Sequence, residues 1–135
     1  MKKIAVFILA LLCAVALVGC SPAYTKGSVL LKKGTVARIS VSSLPEGYDY
    51  SYTGQDAQAI VNYLSNLELL SDFEENPDEY GGMTWVIALE YEDGSKETIY
   101  HFGNMFIRNS GGSWCRMTYE QASAFDRLLD ELNGH

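Results

Sequence analysis

The chain has 135 residues, 47 % of them hydrophobic, with 10 Lys+Arg against 17 Asp+Glu and 3 cysteines. Without Lys2 and Lys3, which belong to a leader of 19 residues, 8 basic and 17 acidic groups remain, a net −9 over 116 residues. That length suits one hydrophobic core and no second, and that charge excludes nucleic acid, whose phosphates need a basic surface.

The leader has the parts of an export signal. Lys2 and Lys3 precede an uncharged, mostly aliphatic run of 16 residues from Ile4 to Gly19. A membrane span wants about 20 apolar residues, and this run is shorter and ends in Gly19-Cys20. Leu17-Val18-Gly19-Cys20 resembles the bacterial lipobox, in which the cysteine after a small residue is lipidated before cleavage. The resemblance implies a diacylglyceryl thioether on Cys20, with acyl chains of the palmitate type holding the protein on the outer face of the cell membrane. Two acyl chains suffice for stable anchoring where one is marginal. The expected organisation is a signal over 1–19, a tether over 20–28 and one domain over 29–135. Cys13 leaves with the signal and Cys20 is capped, so Cys115 is the only free thiol and no intrachain disulfide can form. Lys26, Lys32 and Lys33 follow the anchor closely, either as ordinary solvated lysines or within reach of anionic headgroups.

Thr35 to Ser42 alternates, with Ala37, Ile39 and Val41 on one side and Arg38, Ser40 and Ser42 on the other, which predicts a strand. Tyr48, Tyr50 and Tyr52 then alternate with polar residues. Thr53-Gly54-Gln55-Asp56 carries a helix-start spacing, and Ala57, Ile60, Val61, Leu64 and Leu67 follow at helical period. Ser71 to Tyr80 reads as an acidic loop before Gly81-Gly82. Four apolar runs follow over 84–91, 97–102, 105–109 and 114–117, separated by Asp93-Gly94, Gly103-Asn104 and Gly111-Gly112. Asp-Gly and Gly-Asn favour two-residue hairpin turns. Thr118 and Gln121 form a capping box for a last helix striped by Tyr119, Ala122, Phe125, Leu128, Leu129 and Leu132. The prediction is an α+β fold: a strand, a helix, a four-stranded antiparallel meander and a C-terminal helix, with both helices on one sheet face.

Two-residue turns fix a register. They set Ile87 opposite Tyr100, Trp85 opposite Phe102, and Tyr100 opposite Ile107. The last hairpin sets Arg108 opposite Trp114 and Phe106 opposite Arg116. Because side chains alternate across a strand, one face collects Trp85, Ile87, Leu89, Tyr100, Phe102, Met105, Ile107, Cys115 and Met117, the expected core. The other collects Val86, Ala88, Glu90, Glu97, Ile99, His101, Phe106, Arg108, Trp114 and Arg116. This register opposes Glu90 to Glu97, whereas a three-residue turn pairing Glu92 with Lys96 would flip one strand.

Catalytic signals are few. Cys115 and His101 are the internal pair of nucleophile type, but the register points them to opposite faces, and a buried thiol without an electropositive neighbour is inert. Asp72, Glu74, Glu75, Asp78 and Glu79 offer oxygens without the regular calcium-loop spacing, and Pro77 interrupts them. His101 and His135 are too few imidazoles for zinc. Glu90 and Glu97, if opposed, would raise one carboxyl pKa. No nucleophile elbow, phosphate loop or dinucleotide fingerprint is present, and neither a cofactor nor a metal is expected.

Tyr91-Glu92-Asp93-Gly94-Ser95, then Ile99 to Ile107 (IYHFGNMFI), Trp114 and the closing helix resemble small uncharacterised lipoproteins of Gram-positive gut bacteria, over roughly residues 27 to 133. The resemblance implies an extracytoplasmic sensing or adaptor role and carries over no catalytic residue. The expected function is a non-enzymatic surface lipoprotein that binds an envelope protein or ligand through His101, Phe106, Arg108, Trp114 and Arg116, with a second copy among the candidate partners. The alternatives are a small cell-envelope hydrolase using acidic residues and a purely structural envelope component.

Overall fold

The computed structural model describes residues 24–103 and 105–134. The expected export signal and the expected lipidation site, Cys20, lie outside the described residues, as do Asn104 and His135. No helix among the described residues is long and apolar enough to cross a membrane.

Among the described residues eight strands and two helices form the α+β fold. Strands β1 (Thr25–Lys26), β2 (Val36–Leu44) and β3 (Asp49–Tyr52) precede helix α1 (Gly54–Asn66). Then come β4 (Glu68–Leu69), β5 (Thr84–Tyr91), β6 (Lys96–Phe102), β7 (Phe106–Asn109), β8 (Cys115–Arg116) and helix α2 (Tyr119–Leu132). Six strands pair antiparallel in the order β3-β2-β5-β6-β7-β8, and β1 pairs with β4 in a separate ribbon. The four-stranded meander becomes a six-stranded sheet because β2 pairs with β5 and the tyrosine-rich segment adds β3 at the edge beside β2, with Val41 opposite Tyr50.

Both helices cover one sheet face. Ala57, Ile60 and Leu64 of α1 and Ala122, Phe125 and Leu129 of α2 are buried there against Ile39, Val41, Ile87, Leu89, Ile99 and Ile107. The Trp85 indole packs edge-on to Phe125 and donates from Nε1 to Asp126 Oδ1 at 3.1 Å. The two helix starts are built differently. Thr53 occupies the cap of α1 without a side-chain bond to the helix, while Thr118 Oγ1 accepts from Gln121 N at 3.2 Å. Gln121 does not complete its capping box. Its amide instead accepts from Glu68 N (2.7 Å) and donates to Glu68 O (3.2 Å), fastening β4 to α2.

The segment expected as a tether is partly fold. Thr25 and Lys26 pair with Leu69 and Glu68, and a 3₁₀ turn over Gly27–Leu30 buries Gly27 and Leu30. Gly27 N donates to Leu67 O at 2.7 Å, at the end of α1. The fold therefore already includes Thr25 to Ser28, within the span expected as a tether.

The register departs from expectation at two turns. Between β5 and β6 three residues, Glu92 to Gly94, form the loop: Tyr91 N donates to Ser95 O and Gly94 takes φ +85°. Glu90 consequently faces Lys96, and Ile87 faces Ile99 rather than Tyr100. At the next turn Met105 N donates to Phe102 O at 3.3 Å, but the ladder resumes one residue later, with Phe102 opposite Phe106. A one-residue slip flips a strand's faces. Two successive slips cancel, so β6 alone is inverted while β7 and β8 keep their expected faces. Ile99 and His101 enter the core, and Tyr100 and Phe102 leave it for the outer face.

Candidate functional site

The sheet face turned away from the helices gathers the side chains with recognition chemistry. The last hairpin has the predicted register, Phe106 opposite Arg116 and Ile107 opposite Cys115. Arg108 projects between two aromatic rings, its guanidinium carbon 4.9 Å from the Tyr100 centroid and 5.0 Å from that of Trp114. A guanidinium over an aromatic face is attracted by the ring quadrupole, so the three side chains stiffen one another. All three remain part-exposed. Tyr100 enters this stack only because β6 is inverted.

His101 is not part of this surface. It lies 2 % exposed on the helix side, stacked on Phe125, with Nε2 3.4 Å from the Tyr63 hydroxyl. Ile99 is buried beside it. The expectation that both stand on the open face is corrected by the turn over Glu92–Gly94. Cys115 and His101 thus share the helix side, but each pairs across to Ile107 from opposite sides. Two strand spacings separate them, about 10 Å, beyond any thiol–imidazole hydrogen bond. Burial pushes the Cys115 thiol upward and holds the His101 imidazole down at about 4.

Glu90 and Glu97 do not form a carboxylate pair. Glu97 stands opposite Leu89 on the helix side, where its carboxylate accepts from Tyr91 Oη (2.6 Å), Lys32 N (2.9 Å) and Asn109 Nδ2 (3.1 Å). Those bonds join the segment after the 3₁₀ turn to three strand ends. Among the described residues no group of three or more His, Cys, Asp or Glu is placed to hold a metal ion.

The acidic loop is attached rather than loose. It folds over the end of the outer face carrying Phe102 and Phe106, which are 8 % and 6 % exposed. Phe73 and Tyr80 lie on the Phe106 ring, with centroids 5.7 and 6.2 Å away. Pro77 is buried in a 3₁₀ turn that Asn76 caps. Two of the loop's acids meet the candidate surface directly: Glu75 Oε1 lies 3.2 Å from Arg116, and Asp78 Oδ1 accepts from Trp114 Nε1 at 3.2 Å. Of the five residues that the sequence assigns to partner binding, Phe106 is therefore covered, Arg116 and Trp114 are part-exposed and each held by a loop acid, Arg108 is part-exposed within its stack, and His101 is elsewhere. Sequence reasoning missed Tyr100, Glu75 and Asp78. Phe73 and Tyr80, aromatic residues bracketing an acidic stretch, were the available sign that this loop docks.

Comparison of the chain with protein-family models, with curated proteins and with solved structures gave no match.

Proposed function

We propose that the protein is a lipoprotein anchored through Cys20 on the extracytoplasmic face of the membrane, where its domain acts as a non-enzymatic binding or adaptor module. The observation that carries the binding part is the Tyr100–Arg108–Trp114 stack on the sheet face that the helices leave free. Aromatic residues and Arg are the types enriched at interaction hot spots, and stacking pre-orders them so that less side-chain entropy is lost on docking. Anchoring rests on the lipobox, and the small uncharacterised lipoproteins of Gram-positive gut bacteria remain the family that the sequence resembles.

The test uses the full-length protein in its own envelope. Mass spectrometry of the membrane extract should show a diacylglyceryl adduct on Cys20 as first residue. A retained leader, or an unmodified terminus elsewhere, overturns the anchoring. Crosslinking in intact cells should yield a discrete partner adduct that Arg108→Glu and Trp114→Ala each reduce at least tenfold, with thermal midpoints close to wild type. Adduct yield unchanged in both variants overturns the binding face.

A further inference from the structure

The acidic loop is itself a ligand-like segment lying on the proposed face. From Ser71 to Tyr80 it carries five acids and no base, with an aromatic residue near each end. What it contacts is basic and aromatic: Arg116, Trp114 and Phe106. Charge and ring contacts therefore match in both directions.

Its attachment is unlike that of the strands. Leu70 exchanges both backbone bonds with Arg116 (2.8 and 2.7 Å), fixing the root of the loop. Beyond it, the backbone bonds between 71 and 82 join the loop only to itself, Glu79 N to Asn76 O and Tyr80 N to Pro77 O, each 3.1 Å. Side chains alone hold the tip to the sheet. One of them is poorly satisfied: Glu75 Oε2 is buried with no hydrogen-bond partner among the described residues. A buried carboxylate oxygen without a donor weakens the closed arrangement. Gly81 and Gly82, the latter at φ +149°, form a compliant far end.

We propose that residues 71–80 are a detachable flap that occupies the partner site in cis, and that the partner in trans is an acidic peptide segment bearing aromatic residues. The inference rests on the binding reading above and specifies the partner of the same face. A segment tethered at both ends acts at an effective concentration in the millimolar range, so a free peptide must compete against it. Opening exposes Phe106 next to the Arg108 stack and frees Arg116 and Trp114, converting a small patch into a continuous Arg and aromatic surface.

The experiment uses the full-length protein in lipid nanodiscs and a fluorescent peptide with the sequence of residues 70–81. Wild type should bind this peptide at least tenfold more weakly than E75K/D78K, in which the flap is repelled by Arg116. E75Q/D78N should shift in the same direction by a smaller factor. Adding R116E to the opened variant should remove the gain, and a peptide with alanine in place of both aromatic residues should not bind. Native-state hydrogen exchange should show amides 71–80 opening far faster than those of β5. The inference fails if neither opened variant gains affinity, if the alanine peptide binds equally, or if amides 71–80 are protected like β5 in wild type and E75Q/D78N. Concentration-dependent dimerisation of the wild type that E75K/D78K abolishes would identify the flap of a second copy as the occupant and overturn a partner in trans of another kind. A flap that never opens, together with a crosslinked partner still lost on Trp114→Ala, sinks this inference and leaves the binding function standing. An opened flap that captures peptide, with no partner adduct sensitive to Trp114, sinks the other.

Discussion

His101 lies parallel-stacked on Phe125, ring centroids 5.1 Å apart, at the centre of the layer between sheet and helices. Trp85, opposite His101 across the β5–β6 pair, meets the same phenyl ring edge-on. The polar contact on offer is the Tyr63 hydroxyl at 3.4 Å, and that hydroxyl donates its proton to Gln121 O at 2.8 Å. An imidazole so placed stays neutral, because a cation there would lose its hydration without gaining a counter-charge.

Acid should therefore act on this histidine through the unfolded state. Burial lowers the His101 pKa from 6.5 to about 4. Between those values the unfolded chain takes up a proton that the folded chain refuses, so stability falls as pH drops from about 6.5 to 4. The full loss is about 3 kcal/mol at 1.36 kcal/mol per pKa unit. In His101→Phe that proton uptake is gone. Urea melts at pH 7.0, 5.5 and 4.0 should show the wild type losing more stability than the variant across the series, by about that amount. Parallel loss in the two proteins would show that His101 is protonated in the fold.

The inverted strand β6 explains why His101 was expected on the surface. Composition and periodicity settle the fold class here, because helix stripes such as Ala57-Ile60-Leu64 and Phe125-Leu129 have a single reading. A hairpin register depends instead on where one turn closes. Asp93-Gly94 suits a two-residue turn, but the chain places Gly94 at the last loop position, at φ +85°. The local dipeptide does not distinguish the two geometries. Longer-range chemistry does: the shorter turn opposes Glu90 to Glu97, whereas the observed one opposes Glu90 to Lys96. The candidate surface was legible where the last hairpin fixed it, at Arg108 and Trp114. It was not legible at Tyr100, which depends on the first turn, nor at the flap, whose docking is a tertiary event without periodicity.

Glu97 should matter to the fold in spite of its charge. Its carboxylate accepts from the Tyr91 hydroxyl, the Lys32 amide and the Asn109 side chain. Glu97→Ala leaves those donors without their acceptor, at a cost of about 2 kcal/mol or more. Glu97→Gln keeps one acceptor oxygen and should recover part of that loss. Chemical melts of the three proteins give the ranking, and equal midpoints would show that water replaces the carboxylate freely.

Cys115 should behave as a packing residue. Burial raises its thiol pKa, which lowers the reactive thiolate fraction at neutral pH, and among the described residues its hydrogen-bond contact is the Ser113 carbonyl and not a basic group. Thiol reagents should label the native protein more slowly than the urea-unfolded protein. Cys115→Ala should cost about 1 kcal/mol and leave partner crosslinking intact. Loss of crosslinking in a folded Cys115→Ser protein would give the thiol a functional role.

Gly27 decides whether the segment expected as a tether is a wall of the domain. Its backbone lies so close to the end of α1 that an added Cβ would stand 1.8 Å from Leu64 O and 2.9 Å from Leu67 Cβ. The Leu64 carbonyl belongs to the helix backbone, so the conflict cannot be relieved by rotating a side chain. Gly27→Ala must instead push the 3₁₀ turn outward, which strains the Gly27–Leu67 bond and lifts Leu30 from the core. Overpacking of this kind costs about 1–3 kcal/mol, enough to lower the thermal midpoint by several degrees in a domain of this size. Ser28→Ala, exposed on the same turn, serves as the comparison and should leave the midpoint unchanged. If Gly27→Ala melts with Ser28→Ala and wild type, residues 25–30 are not packed on α1.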